Sequence, residues 1–145
     1  MGRIASIDYG LKRLGMAISD PTHTIATPLP TVLAERATER TLEKVLAQLA
    51  PYALDAIILG FPLHLDGNRS FLSDEVEHFI TKLQQRVGCP ILKWDERLST
   101  VQAERSLMEG NFTRKKRASK IDQVVAVLLL QNYLDAKSLQ RLSEQ

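Results

Sequence analysis

The chain has 145 residues, 44% of them hydrophobic and 25% charged, with a net charge of +2; this is an ordinary globular composition, and one domain over residues 1–145 is the expectation. The single cysteine, Cys89, excludes an internal disulfide and a zinc site of clustered thiolates. No apolar run approaches the ~18 residues of a membrane span, and Arg3 enters an apolar segment with no charged-then-apolar leader before it, so a cytoplasmic protein with no membrane partner is expected.

In chain order, Arg3 to Asp8 reads as a short apolar strand without helical spacing. Tyr9-Gly10 turns the chain, and Gly15 to Ser19 reads as a second strand returning beside the first, broken by Asp20-Pro21. A third strand falls within Ile25 to Val32, where Pro28 and Pro30 suggest a sheet edge. Leu42, Val45, Leu46 and Leu49 follow the spacing of an amphipathic helix, which Pro51 ends. Ala56 to Gly60 is a continuous apolar run, as in a strand buried on both faces. Val76, Phe79, Ile80 and Leu83 mark a second helix ending near Gly88, and Ile91 to Trp94 is expected as another buried strand. Ser99 with Gln102 forms a capping-box pattern for a third helix ending near Gly110. A basic loop follows, after which Ser119 is placed to cap a last helix through Ile121, Val124, Val125, Leu128 and Leu129. Short connections make the opening strands antiparallel, and helical crossovers make the later ones parallel. The expected class is α/β, a mixed five-stranded sheet flanked by helices.

Three acidic signals stand at element edges: Asp8, the Asp95-Glu96 pair and Asp122. A carboxylate at the C-terminal end of a strand faces the crevice where open α/β sheets bind ligands. Asp122, expected in the first turn of the last helix, has a plain alternative role there, since an acid complements the helix dipole by ~0.3–1 kcal/mol. Asp8 before a glycine turn is common too. Together the acids point to a metal centre. Carboxylates are hard donors suited to Mg²⁺ or Mn²⁺, and clustered without metal they repel one another. Two metals ~3.5–4 Å apart serve an in-line displacement at phosphorus, with Asp8 the best candidate for a bridging ligand. Arg114, Lys115, Lys116, Arg117 and Lys120 form a patch able to follow a phosphate backbone; a solvated loop is the competing reading.

At these residues the chain resembles the YqgF/RuvX family, also described as Holliday junction resolvases. The resemblance rests on Asp8-Tyr9-Gly10, Arg13-Leu14-Gly15-Met16-Ala17, Gly60-Phe61-Pro62-Leu63, Asp66-Gly67, Asp95-Glu96-Arg97-Leu98-Ser99-Thr100 and Ile121-Asp122, in the family's order and across nearly the whole chain. It implies a ribonuclease H-like fold and a metal-dependent endonuclease that matures the 5′ end of 16S ribosomal RNA, with the small ribosomal subunit as a candidate partner. It also implies Asp8, Glu96 and Asp122 as catalytic acids and metal ligands. Glu96 is preferred to Asp95 because adjacent strand residues face opposite ways; Asp95 is then a supporting residue behind the ligands. One departure stands out: Gln123-Val124-Val125 replaces the family's small residues, which suggests a changed polarity beside the metals and a repacked core.

Lys12, Arg13 and Arg97 are candidate phosphate contacts, with a local ion pair to Asp95 the alternative for Arg97. The Phe61–Asn68 segment is expected as a loop bordering the crevice. His23, His64 and His78 share no metal-ligand spacing, and Trp94 reads as core. Within the nuclease class the alternative is a resolvase cutting four-way, branched DNA. A single domain without a Gly-Lys-Ser/Thr loop argues against a paired ATP-binding fold of the actin or hexokinase kind. A non-catalytic RNA-binding module has no chemical reason to keep clustered acids. Either a monomer or a homodimer is compatible with the sequence.

Overall fold

The computed structural model describes residues 2–61, 71–95 and 114–143. Its elements are β1 (Arg3–Asp8), β2 (Arg13–Ser19), β3 (Ala26–Leu33), α1 (Thr38–Leu49), β4 (Leu54–Phe61), α2 (Phe71–Gln84), β5 (Ile91–Asp95) and α3 (Arg114–Ser143). The five strands form one sheet in the order β3-β2-β1-β4-β5. β1 pairs antiparallel with β2, and β2 with β3; β4 is parallel to both β1 and β5. This is the mixed sheet expected from the connection lengths.

The strand alternation divides the core into two layers. Ala5 and Ile7 of β1, Met16 of β2 and Ile57 and Leu59 of β4 face α1 and α2, which contribute Val45, Phe79 and Leu83. Tyr9 packs against Phe79 with the rings tilted by 47° and their centroids 5.0 Å apart. Ile4, Ala17, Ala56 and Ile58 face the other way, against Ala126, Leu129 and Leu130 of α3. Every β4 residue from Ala56 to Gly60 is buried, as its continuous apolar run predicts. Trp94 packs on the α3-side core, edge-to-face with Tyr133 at 5.4 Å.

β3 and β5 are the edges. On β3 the prolines sit as their missing N–H groups require, and Gln48 of α1 donates to the Pro30 carbonyl at 2.9 Å. β5 differs from the expected buried strand: Leu92 is 37% exposed and Lys93 is exposed, pairing with Glu77. A run as short as Ile91 to Trp94 does not record that, among the described residues, it has one neighbouring strand, and Lys93 within it was the available sign of an edge. The β2–β3 turn is held by Asp20, whose carboxylate accepts the N–H groups of Thr24 and Ile25, each at 2.8 Å. These bonds hold its pKa far below the ordinary carboxylate value. His23 in that turn has a left-handed φ of 58°, and its Nε2 reaches Gly2 O at 2.8 Å and Asp55 Oδ2 at 3.2 Å. It is a structural residue, as its sequence context suggested.

The last helix begins earlier than expected. Arg114 to Lys120 are its opening turns, not a loop, and Ser119 lies inside it rather than at its cap. The expected helix after Ser99 lies outside the described residues, as do His64 and the Pro62–Asn68 part of the expected crevice loop. Among the described residues no helix is long and apolar enough to cross a membrane.

Candidate active site

Ile4, Ser6 and Asp8 share the α3 face of β1. Ser6 is fully buried and its hydroxyl donates to Ala126 O at 2.7 Å. Two residues along a strand advance about 6.6 Å, and four residues along a helix about 6 Å. The step from Ser6 to Asp8 therefore matches the step from Ala126 back to Asp122.

The neighbouring strand agrees. Gly15 of β2 is the registered partner of Asp8, and registered Cα atoms in an antiparallel pair lie about 4.5–5.5 Å apart. A Cβ on Gly15 would lie 1.9 Å from the Asp122 carbonyl oxygen and 2.5 Å from its carbonyl carbon. The backbone of α3 at Asp122 thus rests directly on β2 beside Asp8. On the other side, Gly60 of β4 is the partner of Asp8. The Asp8 carboxylate is flanked across the sheet by two residues that have no side chain.

Asp122 lies nine residues into α3, in its third turn. The helix-dipole role that its expected first-turn position offered therefore does not apply, since that effect fades within the first turn. Its half-buried carboxylate accepts from Arg13 Nε at 2.8 Å. Burial pushes the Asp122 pKa up, and the Arg13 guanidinium pulls against it. Arg13, expected as a phosphate contact, is bound to a carboxylate here, whereas Lys12 is exposed beside it.

Gln123, expected to change the polarity beside the metals, has a hydrogen-bond partner on β3. Its Nε2 donates to Leu29 O of β3 at 3.0 Å, where the β2–β3 register shifts between Leu14 and Met16. Its amide serves a carbonyl of β3. Val125 packs in the core, as expected, while Val124 is half-buried. Sequence reasoning overlooked Ser6 and treated Gly15 only as a motif residue. A glycine inside a strand signals close backbone approach, but it does not name what approaches.

Glu96 and Arg97 lie outside the described residues, and Asp95 is described only as the last residue of β5. Arg114, Lys115, Lys116, Arg117 and Lys120 are placed on the opening turns of α3, the end of the helix that carries Asp122. Among the described residues no three His, Cys, Asp or Glu side chains are grouped closely enough to hold a metal. Asp8 and Asp122 are two members of the expected set of three. Both are hard oxygen donors, at the C-terminal end of β1 and on the helix turn seated beside it.

The model of the family described as "RuvX: Holliday junction resolvase" matches residues 2–136. The chain belongs to this family. A protein from Protochlamydia amoebophila, named "Putative pre-16S rRNA nuclease", is 46% identical over 141 residues, covering 93% of this chain and 94% of its own. A protein of the same name from Acetivibrio thermocellus is 38% identical over 136 residues, covering 93% and 96%. Among solved structures, Thermus thermophilus RuvC in complex with a Holliday junction superposes with a TM-score of 0.55 at 13% identity, over 95% of this chain and 96% of that one. A second Thermus thermophilus RuvC structure gives 0.52 at 13% identity, over 94% and 96%. The fold is ribonuclease H-like, as the family resemblance implied. The RuvX family and its named relatives are nucleases, and nucleases are hydrolases.

Proposed function

We propose that this RuvX-family chain is a single-domain, metal-dependent endonuclease that hydrolyses phosphodiester bonds in the 5′-end maturation of precursor 16S ribosomal RNA in the cytoplasm. The observation that carries the reading is the convergence of Asp8 and Asp122 at Gly15: two carboxylate residues 114 positions apart in sequence meet at the C-terminal end of β1. The names of the RuvX relatives supply the RNA substrate.

Asp8, Asp122 and Glu96 would hold Mg²⁺ or Mn²⁺. Glu96, rather than Asp95, is taken as the third ligand, as the family resemblance implies. The donor set fits a hard cation. Burial raises the cost of charge on Asp122, and one guanidinium offsets it at present, so a cation in that place has a carboxylate ready for it. When bound, the metal supplies an activated water and stabilises the leaving oxygen. The chain's own residues do the rest. Asp8 and Asp122 set the donor positions; Gly15 admits the Asp122 turn beside Asp8, and Gly60 adds no side chain on the other flank. Lys12, Arg13, Arg97 and the basic opening of α3 would bind the phosphate backbone. Asp95 would support the ligands from behind.

The test is cleavage of a labelled precursor 16S RNA fragment and of a four-way DNA junction, each with Mn²⁺, Mg²⁺ or EDTA. Metal-dependent RNA cutting that Asp8→Asn abolishes, while RNA binding persists, is the expected result. Cutting of the junction alone would move the function to recombination, the reading that the RuvX family description favours. RNA binding with no cutting under any metal would leave a binding module.

A further inference from the structure

The second carboxylate is placed by a set of contacts from β2 and β3. Gly15 leaves room for the backbone of α3 at Asp122, with 1.9 Å between a built Cβ and the Asp122 carbonyl oxygen. The obstacle is backbone, which has no rotamer by which to yield. Arg13, two residues earlier on the same strand, holds the carboxylate itself. Gln123, the next residue of α3, ties the same turn to Leu29 O of β3. Two turns further along, Gln131 makes a second tether, accepting from Ala26 N at 3.0 Å and donating to Thr24 O at 2.9 Å.

We propose that Gly15 and Gln123 are positioning residues for metal binding: Gly15 sets the depth, and Gln123 the lateral position, at which the Asp122 turn of α3 seats beside Asp8. The inference rests on the reading of Asp8 and Asp122 as metal ligands. It assigns a purpose to the glycine inside β2, where glycine weakens a strand. It also assigns one to the glutamine after Asp122, which stands where relatives were expected to carry a small residue. The two contacts act on one helix turn from two strands, so a shift of either moves Asp122 relative to Asp8. The Gln131 tether holds the helix without touching that turn, which makes it the internal control for stability alone.

The experiment measures Mn²⁺ affinity by calorimetry and melting temperature in EDTA for the full chain, with Gly15→Ala, Gln123→Ala, Gln131→Ala and Asp122→Asn. Residues that support metal ligands typically change affinity about 10–100-fold when removed. Gly15→Ala is expected within that range and Gln123→Ala near its lower end. Gln131→Ala is expected to lower the melting temperature while leaving Mn²⁺ affinity unchanged. In an Asp122→Asn background, Gly15→Ala and Gln123→Ala are expected to cost no further affinity, because they act through Asp122. Should Gly15→Ala fail to fold, Gln123→Ala against Gln131→Ala decides the matter. A folded Gly15→Ala, or Gln123→Ala in its place, that binds Mn²⁺ like the wild type overturns the proposal while Asp122→Asn still binds poorly. Unchanged Mn²⁺ binding by Asp122→Asn itself overturns the metal-site reading, and the positioning role falls with it.

Discussion

Asp122 carries a charge that its surroundings resist. Burial favours its protonated form, and Arg13 only partly offsets this. A carboxyl whose folded pKa is raised contributes stability fully below its unfolded value, near pH 4, and that contribution vanishes as pH rises through the raised folded value. Asp122→Asn, which cannot ionise but can still accept from Arg13, is therefore expected to melt higher than the wild type at pH 7 in EDTA. The gap should close as the pH falls towards 4. Saturating Mn²⁺ should reverse the order, because a ligand that binds only the folded state stabilises by mass action. Thermal melts at two pH values, with and without metal, check both halves. A wild type that melts higher than Asp122→Asn in EDTA at pH 7 would show that Arg13 outweighs burial.

At the scale of elements, α2 and the turn after it contribute two kinds of contact that differ in worth. Val76, Phe79 and Leu83 are fully buried against the sheet. On the exposed side, Lys82 pairs with Glu39 of α1 and Arg86 with Glu43. Exposed ion pairs gain little in high dielectric. Phe79→Ala is expected to cost about 3–5 kcal/mol in urea unfolding, because it opens a cavity and removes buried apolar surface. Glu43→Gln should be indistinguishable from the wild type in the same assay. The buried spacing of α2 was legible because its apolar residues recur with a 3.6-residue period. The start of α3 was not legible in the same way. Arg114 to Arg117 have no apolar period, so the run read as a loop, although Arg and Lys are good helix formers. Their propensity was the available signal.

For the molecule as a whole, the sheet brings distant parts of the chain into one crevice. The directions of its strands were legible because each connection length restricts the pairing of the strands it joins. The seat of Asp122 was not, because it depends on a carbonyl meeting a glycine 107 residues away, and no local pattern records such a meeting. The basic residues opening α3 stand at the same end of the helix as Asp122. Neutralising Arg114, Lys115, Lys116 and Arg117 is expected to weaken RNA binding and to flatten its dependence on salt. The log–log slope should fall by about 0.7 for each single-strand phosphate that the variant no longer neutralises. Filter binding across a salt series reads this directly. An unchanged slope would return these residues to the role of a solvated helix end.

The β3 border has a consequence for how copies of this protein meet. A bare strand edge is a template on which another chain can continue the sheet. In a strand the N–H and C=O of one residue point to the same side, and the Pro30 carbonyl points to α1, where Gln48 already occupies it. Pro30 therefore presents no donor outward, and Pro28, of the same parity, presents none either. The ribbon that seats Asp122 is thereby closed to intruding strands, so crowding among nascent or heated chains need not disturb the Asp122 turn. Replacing both prolines with threonine should increase light scattering on prolonged warming before any change in the melting temperature is seen.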